Sequence, residues 1–184
     1  MSLDTRAVFA VFVDEVKGSG LRWDERGSVK TRKMMGDKKS RKKGDFGVFG
    51  RIGTKYGYKV QAEWARLDQV WYDEVKLDED TPLEWWWCEA AIEHENSQDL
   101  YDILYSVVKL TEFKARLKIG VYYPRDDFNK ALDEMSRFIS RSISPSESER
   151  YLILLGSVKD NSSVEYSAWQ FDCRGNRMKI PSVF

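Results

Sequence analysis

The chain has one histidine, two cysteines and four prolines among 184 residues, and each scarcity removes a class of function. A single imidazole leaves no histidine cluster for zinc and no Ser-His-Asp spacing for nucleophilic catalysis. Cys88 and Cys173 stand in no metal-ligand spacing and make no disulfide framework; Cys88, inside an apolar run, reads as a buried thiol. No apolar run reaches the ~18–20 residues of a membrane span. The N-terminus lacks the basic, apolar, small-residue order of a signal peptide. These absences lead us to expect a cytoplasmic protein with no membrane partner. Gly47, Gly50 and Gly53 are not set between a strand and a helix cap, so they do not read as a nucleotide phosphate loop.

What is present is a length and a 42% hydrophobic, 33% charged composition that suit one domain, residues 1–184, with a proper core. The formal net charge of zero hides a segregation. From Arg26 to Lys59 there are 12 Lys and Arg against 2 Asp, so the segment is +10 and the remainder −10. We read residues 22–57 as a long, basic, glycine-rich exposed loop, with a short strand at Phe46 to Ile52 as an option. Lys38, Lys39, Arg41, Lys42, Lys43 and Arg51 are its candidate phosphate contacts, with Phe46, Phe49, Tyr56 and Tyr58 as stacking surfaces. The alternative is a solvated loop that serves solubility alone.

Along the chain, Asp4 to Lys17 reads as a helix with the stripe Val8, Val11, Phe12 and Val16. Glu15 falls inside that stripe, either as a site carboxylate or at its edge, reaching solvent. Tyr58 to Trp64 and Leu67 to Tyr72 read as strands, joined through an acidic turn at 73–82 to a long apolar strand, Trp85 to Glu95. Trp85, Trp86 and Trp87 are expected in sheet packing. Ser97 is the expected cap of a helix carrying Leu100, Ile103, Leu104, Val107 and Val108. Lys118 to Tyr123 is a strand, and Asp126 or Asp127 caps a helix with Phe128, Leu132, Met135 and Ile139 on one face. Tyr151 to Val158 is a buried strand, and Val164 to Phe171 alternates like an edge strand. The order predicts an α/β fold with a mixed central sheet flanked by helices.

The chemistry-bearing stretch is Trp85 to Ser97, WWWCEAAIEHENS. Glu93 and Glu95 are two apart, which puts them on one face of a strand with Cα atoms roughly 6.5–7 Å apart. Asp68 stands near the start of the preceding strand. Carboxylates grouped on an apolar strand repel one another and are costly to desolvate, so a shared hard cation is the expected partner. His94 should point to the opposite face. Asn96 turns the chain or caps the helix, with a substrate contact as the alternative.

An acid on one strand, acid-x-residue on the next, then a helix and a strand, resembles the PD-(D/E)XK nuclease superfamily. Glu95 in place of the usual Lys resembles the Glu-x-Glu variant of BamHI-type restriction endonucleases. The resemblance implies an α-β-β-β-α-β core followed here by α-β-β. It also implies a magnesium-dependent endonuclease, with manganese an option, that hydrolyses DNA, and a homodimer. Asp68, Glu93 and Glu95 would be the metal and catalytic acids, the His94 carbonyl a further ligand, and Glu15 or Glu63 a fourth acid. Glu95 would be a general base or a second-metal ligand, and Lys109 on the next helix a substitute for the missing lysine. The alternatives are a catalytically inactive relative that binds nucleic acid or a protein, and a small immunity-type interaction module.

Overall fold

The computed structural model describes residues 3–76, 84–125, 127–142, 145–158 and 163–181, with backbone alone at 74–76 and 84–87. The expected acidic turn at 73–82 falls mostly outside these residues, as do Asp126 and the side-chain packing of Trp85, Trp86 and Trp87. The elements are α1 (Thr5–Ser19), α2 (Gly27–Met35), α3 (Lys38–Lys42), α4 (Gly47–Lys55), β1 (Lys59–Trp64), β2 (Leu67–Lys76), β3 (Glu84–His94) and α5 (Leu100–Glu112). They continue with β4 (Leu117–Tyr122), α6 (Phe128–Ser140), β5 (Arg150–Val158), β6 (Val164–Asp172) and β7 (Arg177–Ile180).

The seven strands form one mixed sheet in sequence order. β3, β4 and β5 are parallel, because α5 and α6 carry the chain back between them, and the outer pairs are antiparallel. Every residue of β4 is buried, as a strand covered on both faces requires. Strand alternation divides the core in two. Ala90, Ile92, Ile119 and Val121 face α1, α2 and α4. Ala91, Tyr122, Ile153 and Leu155 face α5 and α6. Among the described residues no helix is long and apolar enough to cross a membrane.

Four expectations change. The basic segment is not a loop: α2, α3 and α4 occupy it, and Phe46 to Ile52 is helical rather than extended. The cause is the apolar set Met34, Met35, Val48, Phe49 and Ile52, all fully buried on the first face of the sheet. Burial of such side chains contributes about 1.5–3 kcal/mol each, which outweighs the ~1 kcal/mol that a helical glycine costs. Gly53 lies so close to the Trp71 indole that a Cβ would come within 2.7 Å of it, so the glycine lets α4 approach the sheet. These helices stand between α1 and β1, so the expected direct succession from the first helix into the strand meander is absent. Asp99, not Ser97, caps α5 by accepting from Tyr101 N at 2.8 Å, while Ser97 Oγ accepts from Asp99 N. β6 is not an edge, since β7 pairs along it from Ala168 to Phe171.

The β1–β2 hairpin carries backbone strain. Ala65 and Arg66 form its two-residue connection with φ of 49° and 72°, the all-positive pattern of a type I′ turn that favours Asn-Gly. Glu63 also has φ of 54°. The ladder pairs Ala62 with Gln69 and Trp64 with Leu67 and is interrupted where Glu63 faces Asp68. The left-handed region costs roughly 1–2 kcal/mol for a residue with a Cβ, and Asn tolerates it better. Ala65→Asn, which keeps Arg66, should therefore stabilise the protein by about 1 kcal/mol. That corresponds to a Tm gain of ~2–4 °C for a chain of this size. An unchanged or lower Tm in calorimetry would show that the turn holds no relievable strain.

Candidate functional site

Where β2 and β3 run out, side chains take over from the backbone ladder. The last regular pair is Gln69 with Ile92. One step on, Asp68 N–H donates to Glu93 Oε1 at 3.2 Å, and His94 N–H donates to Asp68 Oδ2 at 2.8 Å. Each carboxylate thus binds a peptide N–H of the opposite strand. Glu93 has the parity of Ala91 and points towards α5, which supplies two more partners. Ser106 Oγ donates to Glu93 Oε2 at 3.3 Å, and the Lys109 ammonium forms an ion pair with the same oxygen. Ser106 and Lys109 are three apart on the helix and so lie on one face.

Glu93 is 1% exposed. Burial, then the neighbouring Asp68 charge, raise its carboxyl from 4.5 to about 7 against the opposing pull of Lys109. Burial likewise raises Asp68, partly offset by the His94 N–H bond. Lys109 keeps 21% of its side chain in solvent, so water reaches the pair past its arm. Arg66 donates to the Tyr105 hydroxyl at 2.7 Å, joining the hairpin turn to an exposed position of α5.

The three strand acids are placed unequally. Asp68 and Glu93 meet. Glu95 follows the end of β3, its N–H donates to Val121 O, and its Oε1 accepts from Ser97 N at 2.7 Å, so that oxygen turns the chain. Among the described residues no group of three or more His, Cys, Asp or Glu is arranged to hold a metal ion. Both Glu93 oxygens already meet protein donors, one of them a lysine cation that a metal would have to displace. The donor set does not fit the expected shared magnesium ion. Glu15 is on the other side of the sheet, held by Arg51 and Lys55 at 2.6 Å each. Glu63 is exposed and pairs with Arg41 at 2.7 Å. Neither is a fourth acid of this site.

The basic residues are likewise divided. Arg41 also donates to the Met35 and Gly36 carbonyls, and Arg51 is held by Glu15 and Asp45, so both serve the fold. Lys38, Lys39, Lys42 and Lys43 are exposed on and just after α3, with no ion pair among the described residues. His94 points away from Glu93, as its parity requires, and its Nε2 meets Tyr123 Oη at 2.9 Å. Full burial drives its imidazole down to about 3, so it stays neutral. Asn96 Nδ2 donates to Thr31 Oγ1 at 2.5 Å and ties α2 to the end of β3.

Lys109, one possible substitute for the missing lysine, is placed against Glu93. Ser106 was missed; a hydroxyl in the core stripe of an apolar helix is the signal that marks it. Tyr122 was missed too. It is fully buried on the Glu93 face of β4, and Glu93, Asp68 and Glu95 all act on its phenol.

No family model matches this chain, and no curated protein does. Among solved structures it is similar to a carbon–nitrogen hydrolase from Helicobacter pylori G27, at 9% identity and a TM-score of 0.39, over 96% of this chain and 78% of that one. A likeness of that degree carries no statement about the reaction. The restriction-endonuclease kinship expected above is withdrawn, together with the magnesium-dependent cleavage and the DNA binding it implied. No family model supports that kinship, and among the described residues the acids do not assemble into a metal-ligating group.

The site dictates a pH dependence of stability. Glu93 titrates near 4.5 when unfolded and near 7 in the fold, so the native state retains a proton the unfolded chain has released. Its penalty therefore grows as pH rises from 4.5 to 7 and is constant above. Glu93→Gln removes this titration. Relative to the parent protein, the variant should gain on the order of 2–3 kcal/mol between pH 4.5 and 8. Urea unfolding at the two pH values reads the difference, and an equal offset at both would exclude a raised Glu93.

Proposed function

We propose that Asp68, Glu93 and Lys109 form a general acid–base centre and that the protein is a hydrolase acting on acyl bonds. The observation that carries the reading is one buried carboxylate poised near neutral pH between a second carboxylate and an ammonium. Groups held near the working pH are the most effective proton carriers. Glu93, ionised, takes a proton from water as the oxygen attacks the carbonyl carbon. The Lys109 ammonium meets the oxyanion that develops. Collapse of the tetrahedral species breaks the bond to the leaving group, which receives the proton from Glu93. Asp68 holds the strand ends in register and, through its charge, keeps the Glu93 proton affinity high. The centre lies at the carboxyl end of β3, next to the region where open α/β sheets carry their ligands.

The test is turnover of a panel of p-nitrophenyl esters and p-nitroanilides differing in acyl charge and size. For substrates the parent hydrolyses, kcat/KM should rise with pH through about 7, following Glu93 ionisation. Glu93→Gln should lower it by about 10²–10⁴-fold, and Lys109→Met should lower kcat by about 10²–10³-fold, both with an unchanged circular dichroism spectrum. Absence of turnover across the panel, or full turnover by folded Glu93→Gln, would overturn the reading.

A further inference from the structure

Tyr122 is the polar side chain that the acid–base centre has not used. It sits on β4 with the parity of Gly120, and Gly120 is the register partner of Glu93 on β3. Its ring folds back over Gly120: a Cβ there would come within 2.5 Å of the phenol oxygen and 2.4 Å of the ring. Only glycine leaves this space, so the hydroxyl is laid across the strand towards the Glu93 side of the sheet. The oxygen is fully buried and has no hydrogen-bond partner among the described residues. Burial, then the charges of Glu93, Asp68 and Glu95, push its O–H well above the usual phenol range, so it remains a donor. A buried donor beside carboxylates, with no acceptor of its own, is a polar group that a water molecule satisfies.

We propose that Tyr122 Oη, Glu93 and Asp68 enclose a site for one ordered water, and that Tyr122 is the residue that positions it. The phenol donates to the water oxygen, and the water donates towards the carboxylates. That orientation leaves the water's proton facing the Glu93 base and an oxygen lone pair free for an electrophile. Tyr122 does not itself touch the reacting carbon. This role in turnover rests on the acid–base reading above; occupancy of the water site does not.

The experiment compares the parent protein with Tyr122→Phe, which removes one oxygen and keeps the ring over Gly120. The readouts are the Glu93 midpoint by carbon-13 NMR, the Tm, and the water cross-peak to the Tyr122 hydroxyl proton. The proposal expects a persistent cross-peak in the parent, an upward shift of about half a unit to one unit in the Glu93 midpoint of the variant, and a lower Tm. Loss of the water removes solvation from the ionised carboxylate, which accounts for the shift. A higher Tm with an unmoved midpoint would mean that Phe had relieved an unsatisfied hydroxyl and that no water is held, overturning the proposal. A moved midpoint without a water cross-peak would mean a direct phenol–carboxylate bond and would overturn it equally. On any ester or anilide that the parent turns over, Tyr122→Phe should lower kcat by about tenfold at constant KM. If the NMR signatures hold while no panel substrate is hydrolysed, the acyl-hydrolase reading falls and the water site stands. If Glu93→Gln abolishes turnover while Tyr122→Phe changes neither midpoint nor cross-peak, the water site alone falls.

Discussion

The organisation around β2 and β3 follows from one requirement, that a carboxylate on the buried end of a central strand be given partners. An isolated ionised carboxylate in an apolar interior is among the costliest groups a fold can contain. Glu93 avoids that isolation through the Asp68 peptide N–H, the Ser106 hydroxyl and the Lys109 ammonium, drawn from a neighbouring strand and a crossover helix. Placing Ser106 and Lys109 there sets the rotation of α5, because the same turns must bury Ile103, Val107 and Leu110. Compensation is incomplete: burial and the Asp68 charge still hold the group near 7. A fully compensated carboxylate would be a structural ion pair; this one can exchange a proton at neutral pH.

The sheet separates two polar systems by side-chain parity. Glu93 and Tyr122 lie on the α5–α6 face. His94 and Tyr123, each the next residue along, lie on the α1–α2–α4 face, where the Tyr123 hydroxyl links His94 to Tyr166. On that face the buried Lys30 ammonium stands 4.8 and 4.9 Å from the Trp23 and Tyr123 rings, and burial lowers its proton affinity. One strand end therefore anchors an acid–base pair on one side and an aromatic–cation network on the other.

The strained hairpin belongs to the same arrangement. The β1–β2 ladder is interrupted where Glu63 faces Asp68, and the Asp68 N–H bonds the Glu93 carboxylate. The left-handed Arg66 is aimed at Tyr105 on α5, and Glu63 is held by Arg41. Positive φ in residues that carry a Cβ persists only where surroundings over-determine it. Here two long-range contacts do so, one at Glu63 opposite Asp68 and one at Arg66 two residues before it.

Periodicity alone determined most of the strands and the two crossover helices. Alternation at Tyr58–Trp64 and the continuous apolar runs before Glu93 and after Arg150 demand a sheet, whatever packs on it. The same alternation put His94 on the face opposite Glu93, because strand parity is a local property; that Asp68 meets Glu93 depends on the register of β2 against β3. What spacing could not reach was decided by packing across the chain. The basic segment looked like a loop because its composition is dominated by charge and glycine, whereas the buried Met34, Met35, Val48, Phe49 and Ile52, with a sheet to bury them on, make it helical. Glu15 looked available to the acids until α4 brought Arg51 and Lys55 to it on the far face. Glu95 shares parity with Glu93 in the sequence, but β3 ends at His94, and one oxygen is claimed by its own turn. Local rules determine which face a side chain takes; the partner it finds there, and hence whether an acid binds a cation, an ammonium or a backbone N–H, is set by elements far away in the chain.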